Sequence, residues 1–378
     1  MKRTRRTFNV ALIGYDFMGR AHSNAWRQIS RFFDLPADVR LQTICGRNRA
    51  AVAKAAIKLG WENSVTDWRS VIDDPKIDIV DICTPNDTHC EIAVAAANAG
   101  KAILCEKPLA RTVVEAQRMV AAVKKARVIN MVCQNYRRVP AIALARQMIE
   151  RGEIGERIFH FRARYAQDWI VDPKFPLVWR LQSKTAGSGA LGDIGSHIVD
   201  LARYLVGEFR DVCAITETFI KERPVRSGSR KKARVTVDDA VTMIGRFRNG
   251  ALASLEATRF APGRKNSITL EINGSAGSLS FDLEEMNRLE FFSRSDPQDR
   301  QGFRDILVTE PTHPYMSHWW PPGHIIGYEH TFIHTIADFV TAVTKRKNVS
   351  PNFEDALKTQ SVLEAIARSA GRGAWQKL

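Results

Sequence analysis

The first 135 residues constrain the fold most, because short apolar runs rich in Val, Ile and Ala alternate there with amphipathic helical patterns. The runs span 8–14, 39–46, 77–84, 102–106 and 128–134, with helical patterns at 48–59, 89–99 and 113–126 among them. A strand apolar on both faces cannot have a wet side. Such strands, each followed by a helix, call for a parallel sheet covered on both faces. Right-handed crossovers then make a doubly wound α/β domain with ligands at the carboxyl ends of its strands.

The texture changes after residue 138. A helix over 140–151 closes at Gly152 and Gly155. Runs at 157–165, 212–219, 240–247, 251–258, 267–272 and 277–281 then alternate or are β-rich, with turns such as Arg248-Asn249-Gly250 between them. This pattern predicts an open, mostly antiparallel sheet. A lone helix over 190–205 interrupts it, and helices over 331–345 and 353–369 end the chain. The expected division is therefore 1–138, a doubly wound parallel-sheet domain, and 139–378, an α+β domain.

Composition narrows the function classes. Hydrophobic residues are 44% and charged residues 26%, as in ordinary globular chains. No apolar run approaches the roughly 20 residues of a membrane helix. The net charge of +15 raises a nucleic-acid reading, but much of the excess is local. Residues 2–6 are four-fifths basic, and 221–234 holds seven basic residues and one acid. The second run, with Ser and Gly, reads as a mobile loop between strands. Such a cationic surface attracts anionic cofactors without binding nucleic acid. The basic N-terminus loosely matches a twin-arginine export signal. However, the apolar segment behind it is needed as the first strand, so a solvated tail on a cytoplasmic chain is expected. None of the six cysteines stands in a Cys-x-x-Cys spacing. They read as reduced core thiols, and no metal site is expected.

The first apolar run leads into Gly14-Tyr15-Asp16-Phe17-Met18-Gly19. In a dinucleotide fold the first glycine permits the turn, the middle one admits the pyrophosphate and the last lets helix and strand close up. Here Asp16 takes the middle place, an awkward anion beside a pyrophosphate, and an ordinary strand–turn–helix is the competing reading. The second run ends in Gly46 and Arg47, where an acid would clasp the ribose of NAD. An arginine there can pair with the 2′-phosphate of NADP or stack on adenine without discriminating. The cofactor is thus read as NAD or NADP, leaning to NADP on Arg47.

Three further segments follow in order: Thr84-Pro85-Asn86-Asp87-Thr88-His89, Glu106-Lys107-Pro108, and Asp193 with His197 at the start of the lone helix. With them the chain resembles, over nearly its whole length, the Gfo/Idh/MocA oxidoreductase family. Within it, TDWRSVIDDP, NYRRVPA, QDWIVDP, PLVWR and GSGALGDI are similar to segments of bacterial sugar and anhydrosugar dehydrogenases. The resemblance implies an N-terminal Rossmann domain and a homo-oligomer, dimer or tetramer. It implies hydride transfer between NAD(P) and a secondary hydroxyl or ketone of a sugar, glycoside, anhydrosugar or polyol. Two alternatives stand beside it. One is a redox-neutral NAD-dependent glycosidase; the other is a non-catalytic dinucleotide sensor, for which Asp16 speaks.

The chemistry assigns roles. Lys107, at a strand end, can hold the reacting oxygen and stabilise alkoxide charge. Asp193 and His197, at i and i+4, share a helix face; the resemblance makes His197 the acid/base, with Asp193 anchoring substrate hydroxyls. The expected cofactor residues are Gly14, Tyr15, Phe17, Met18, Gly19, Arg47, Thr84, Pro85, Asn86, His89, Glu106, Lys107 and Asn135. The expected substrate residues are Tyr136, Arg137, Asp168, Trp169, Trp179, Arg180 and His324, though tryptophans at such places are as often core. A cis bond before Pro108 is implied by the resemblance.

Overall fold

The computed structural model describes residues 5–378. The basic run at 2–6 lies mostly outside them; of it, Arg5 and Arg6 pair with Asp38 and Asp78 at 3.7 and 3.5 Å. The chain packs as two compact units. One holds the residues through Arg138 together with Gly327–Leu357, the other Val139–Ile326 with Lys358–Leu378.

The first unit is built on β1 (Thr7–Ile13), β2 (Asp38–Cys45), β3 (Asn63–Val65), β4 (Ile79–Ile82), β5 (Ala102–Cys105) and β6 (Asn130–Val132). They form one parallel sheet in the order β3-β2-β1-β4-β5-β6. Its connections carry α1 (Phe17–Phe32), α2 (Arg49–Leu59), α3 (Trp68–Asp73), α4 (His89–Asn98) and α5 (Val113–Ala126). Ile13, Val80, Ile82, Ile103 and Val132 from the strands pack with Ala93, Ala96, Met119 and Val123 from α4 and α5. Val10, Leu12, Ile79, Leu104 and Met131 on the opposite face are buried too, and burial on both faces is why those strands lack alternation. The order reverses between β1 and β4, so the carboxyl ends of those strands border the crevice where such sheets bind ligands.

The second unit contains α6 (Pro140–Glu150), α7 (Ser183–Ala186) and a π-turn, Leu191–Gly195, that runs into α8 (Ser196–Leu205). Its strands are β7 (Ile158–Ala166), β8 (Phe209–Glu217), β9 (Glu222–Pro224), β10 (Lys232–Arg234), β11 (Ala240–Phe247), β12 (Leu252–Thr258), β13 (Ser267–Gly274), β14 (Gly277–Asp282), β15 (Arg288–Ser293), β16 (Arg304–Leu307) and β17 (Gln376–Lys377). Nine of these form a sheet in the order β16-β15-β14-β13-β7-β12-β11-β8-β17, antiparallel except for β7 against β12. Alternation sets its faces: Ala253, Leu255 and Ala257 of β12 are buried, whereas Leu252, Ser254 and Glu256 are exposed.

The basic run 221–234 is not a plain loop. It folds as the antiparallel hairpin β9–β10. Its Arg223 is fully buried and donates to the carbonyls of Asp172 (2.8 Å) and Ile170, so the run is anchored through one of its own charges.

The last two helices are α9 (Tyr328–Lys345) and α10 (Phe353–Arg372). Residues 327–357 belong to the first unit rather than to a continuous 139–378 domain. The reason is side-chain packing of α9 on α1 and on the segment after β6. Phe332 lies 5.4 Å from the His22 ring, His334 lies 5.9 Å from Phe33, and Asp338 pairs with Arg138 at 2.9 Å. The six cysteines are free thiols. Among the described residues no helix is long and apolar enough to cross a membrane.

Candidate active site

The glycine loop is shaped by contact. Gly14 has φ +104°, and a Cβ there would lie 2.5 Å from the Cys83 carbonyl; one at Gly19 would lie 2.1 Å from the Gly14 carbonyl. No L side chain fits either place. Asp16, by contrast, has φ −76° and ψ −155°, an extended conformation open to any residue. The middle glycine is therefore dispensable for the backbone here. Asp16 takes the N-cap position of α1 without a side-chain capping bond, so its carboxylate leaves the first-turn N–H groups uncovered. Phe17 is exposed and Met18 half-buried beside them.

At the end of β2 the Tyr15 ring lies over Gly46. A Cβ at Gly46 would be 2.1 Å from Tyr15 Cε1. The ring fills the space in which a ribose-binding acid would stand, which explains the missing acid. Arg47 follows on the surface.

The turns after β4 and β5 are tied together. His89, fully buried at the start of α4, has its ring nitrogens 2.9 Å from the Thr84 carbonyl and 3.1 Å from the Pro108 carbonyl. Burial holds its pKa below 6.5. Thr88 Oγ1 lies 2.6 Å from Thr84 Oγ1 and 2.8 Å from the Pro85 carbonyl, and Asn86 is buried beneath this turn. His89, expected on the cofactor, thus clamps these two turns together. The Lys107–Pro108 peptide is cis.

Behind Lys107 runs a buried charged chain that sequence reasoning missed. His22 of α1 donates from Nδ1 to Asp81 Oδ2 (2.9 Å) and from Nε2 to Glu106 Oε1 (3.0 Å). Trp26 Nε1 donates to Asp81 at 2.7 Å, and Glu106 Oε2 accepts the Lys107 N–H at 3.1 Å. Burial alone would lower the His22 pKa, but the adjacent Asp81 carboxylate raises it well above 6.5, so the ring is an imidazolium. Burial likewise works to raise Glu106, yet the His22 hydrogen bond and the charge of Lys107 hold it below 4.5. Cys83 and Cys133 place sulfurs near this chain. Burial raises both thiols, Cys133 to about 12, and both His22 nitrogens lie on carboxylates, so these groups form a hydrogen-bond network. The signal was present in α1: Gly19, His22, Ser23, Trp26 and Ile29 form one buried stripe. A histidine on such a face needs polar partners.

Three expected pocket residues have other partners. Asn135 Nδ2 donates to Thr331 Oγ1 at 2.8 Å. The buried Tyr136 ring stands 6.4 Å from that of Tyr328. Arg137 Nη1 lies 2.9 Å from both Ser350 Oγ and Asp355 Oδ2. The Arg137 guanidinium is thus spent within the first unit.

In the second unit Asp193 lies in the π-turn and His197 in the first turn of α8. Asp238 secures the turn: its carboxylate accepts the N–H groups of Gly189 and Leu191, each at 2.7 Å. The His197 ring is buried, 5.9 Å from the Tyr165 ring. Asp193 Oδ2 is 3.8 Å from Nη1 of the fully buried Arg259, whose Cζ lies 5.5 Å from the Trp169 ring. Trp169 donates to Gln167 Oε1 (2.9 Å) and meets Phe175 edge-on. Asp168 is held by Lys265 at 2.7 Å, which draws its pKa down, and by the Gly263 N–H. Arg180 stacks on Trp179, 4.4 Å from the ring centre. Contacts thus connect Trp169 with Asp193, and His197 with Tyr165. The expected His324 is exposed, with its ring on the Pro321 carbonyl.

The chain has known relatives. Residues 8–134 match the oxidoreductase family with an NAD-binding Rossmann fold, and 142–280 match the Gfo/Idh/MocA C-terminal domain. The chain belongs to the Gfo/Idh/MocA oxidoreductase family. It is 49% identical over 383 residues to levoglucosan dehydrogenase of Pseudarthrobacter phenanthrenivorans, covering 98% of each chain. It is similar to the crystal structure of an oxidoreductase domain protein from Kribbella flavida, with 52% identity, a TM-score of 0.95 and coverage of 98% and 99%. It is equally similar to levoglucosan dehydrogenase in complex with NADH and levoglucosan, with 49% identity, a TM-score of 0.95 and 99% of both chains covered. As a Gfo/Idh/MocA protein the chain carries a dinucleotide, and its own residues fit one. Gly14 and Gly19 leave no room for a side chain, and α1 opens there without a side-chain cap, a combination that suits a diphosphate.

Proposed function

We propose that this protein is an NAD-dependent dehydrogenase acting on a secondary hydroxyl of a sugar or anhydrosugar, with levoglucosan the first candidate. The observation that carries this reading is likeness to levoglucosan dehydrogenase along the whole chain, at 49% identity. Lys107, Asp193 and His197 are all present.

Gly14, Tyr15, Phe17, Met18 and Gly19 hold the dinucleotide, with Thr84, Pro85 and Asn86 across the crevice. When bound, the nicotinamide supplies the hydride acceptor. Lys107 holds the reacting oxygen and stabilises its developing negative charge. The Glu106–His22–Asp81 chain fixes the turn from which Lys107 projects. His197 takes the hydroxyl proton, a task for which an imidazole is chemically suited. Asp193 accepts hydrogen bonds from neighbouring hydroxyls, and Trp169, Trp179 and Arg180 border them. Arg47 tilts the sequence reading to NADP. The NADH complexes of relatives 49% identical to this chain support NAD instead. Free cysteines support a reducing, cytoplasmic setting. The outer face of the second sheet, with exposed Ile215, Ile244 and Leu252, supports a homo-oligomer.

The test is a screen of the purified protein over levoglucosan, L-sorbose, inositols and simple sugars with NAD and NADP, following release of reduced cofactor. Reduction with none of them defeats the reading. Cleavage of a glycoside with the cofactor returned oxidised would assign the glycosidase reaction instead. Within the active enzyme, His197→Ala loses about 10²–10⁴-fold in kcat with NAD affinity kept. The double variant with Lys107→Ala loses less than the product of the single losses.

A further inference from the structure

Arg259 directly follows β12, has 0% exposure and lies beneath the turn that carries Asp193. Its Nη2 donates to the Asp238 carbonyl at 3.0 Å, and the same oxygen accepts the Ala190 N–H at 3.0 Å. The arginine and the Asp193 turn are therefore fastened to one point. Its Nε and Nη1 find no hydrogen-bond acceptor among the described residues, yet Nη1 stands 3.8 Å from Asp193 Oδ2. Gly189 makes room for this approach: a Cβ there would be 2.6 Å from Arg259 Nη2 and 1.7 Å from the Asp238 carbonyl.

A guanidinium does not lose its proton in a protein, so this cation stays charged despite burial. Desolvating it costs several kcal/mol, and partly satisfied donors add to that cost. A purely structural arginine would have both terminal nitrogens on fixed acceptors, as Arg223 does on the carbonyls of Ile170, Asp172 and Phe175. Arg259 instead aims a bare N–H at the side chain of Asp193. That side chain is 27% exposed, so it reaches from the buried cation toward the solvent side.

We propose that Arg259 is a positioning residue for substrate binding: it fixes the Asp193 carboxylate in the orientation that accepts substrate hydroxyls. The pair is net neutral, which suits an uncharged polyhydroxy compound better than a cationic one. The proposal rests on the Asp193 role proposed above.

The test is a double-mutant cycle in the full-length enzyme with NAD and levoglucosan, or with the best sugar from the screen. It uses Asp193→Asn, Arg259→Lys, Arg259→Met and the doubles, with kcat, KM, NAD affinity and melting temperature measured for each. Arg259→Lys keeps the charge but cannot span both acceptors. It should lose roughly 10–100-fold in kcat/KM, mostly through KM, with NAD affinity unchanged. In the Asp193→Asn background the same change should cost less than about threefold. An equal loss in both backgrounds, or a normal KM with Asp193 intact, overturns the proposal. Normal kcat/KM in Asp193→Asn alone defeats the Asp193 reading and the proposal with it, as would a wild type inert on every sugar. If Arg259→Met does not fold, the lysine cycle decides.

Discussion

A side chain at Gly46 meets the Tyr15 ring within 2.1 Å, so the acid usual at this strand end requires that ring to move. Gly46→Asp should destabilise the protein by about 1–3 kcal/mol, the usual cost of overpacking, and weaken binding of NAD and NADP alike. Adding Tyr15→Ala should recover stability and turn the site against NADP, because an acid now faces the 2′-phosphate. Thermal melts and titrations with both cofactors check this; unchanged stability in Gly46→Asp would refute the steric account. His22 poses a different residue-level question. Replacing it by Gln leaves Asp81 and Glu106 buried without their cation, at a cost of about 3–5 kcal/mol. The pH dependence has a definite sign. His22 is raised in the fold, so its contribution is full below 6.5 and fades as pH rises through the folded value. Glu106 is lowered, so its contribution is full above 4.5 and fades in acid. The difference between wild type and His22→Gln in denaturant unfolding should be flat from 4.5 to 6.5 and shrink on either side. A difference that grew at alkaline pH would contradict the imidazolium. The glycine loop and the Glu106-Lys107-Pro108 turn were legible because backbone demands leave residue-type marks. The His22 partners were not, lying 59 and 84 positions away.

At the scale of elements, the spacing of Asp193 and His197 predicts a shared helix face. The structure opens that helix with a π-turn, Leu191–Gly195, whose wider winding belongs to neither residue alone. Asp238, 41 positions beyond His197, holds it through two N–H groups. Asp238→Ala should cost about 1–3 kcal/mol for the lost charge-assisted bonds. It should also lower kcat/KM at least tenfold while sparing NAD affinity, since the turn positions only second-unit groups. Melting curves, kinetics and NAD titration together test this; a loss of NAD affinity of the same size would assign Asp238 to general folding. The hairpin β9–β10 carries the same lesson. Composition read its sequence as a loop, and the burial of Arg223 made it an ordered element.

At the scale of the molecule, the second sheet leaves its outer face without a helix. Ile215, Ile244, Leu252 and Trp375 are 72%, 52%, 48% and 46% exposed there, and a hollow of about 420 Å³ lies between Ile244, Leu252 and Trp375. Ile244→Asp with Ile215→Asp should lower the oligomeric state seen by sedimentation without unfolding the chain; an unchanged mass would place the subunit contact elsewhere. What the sequence by itself determined is the plan: a parallel doubly wound sheet first and a mostly antiparallel sheet after it. Strand burial and turn chemistry are local, and they print a period and a residue type on the chain. Only the tertiary structure decided that residues 327–357 return to the first unit, that β7 and β12 pair in parallel, and that Tyr15 takes the place of an acid. It alone put Arg259 behind Asp193. These depend on which surfaces meet after the chain has crossed dozens of residues, and a contact between distant side chains leaves no period in the sequence from which to read it.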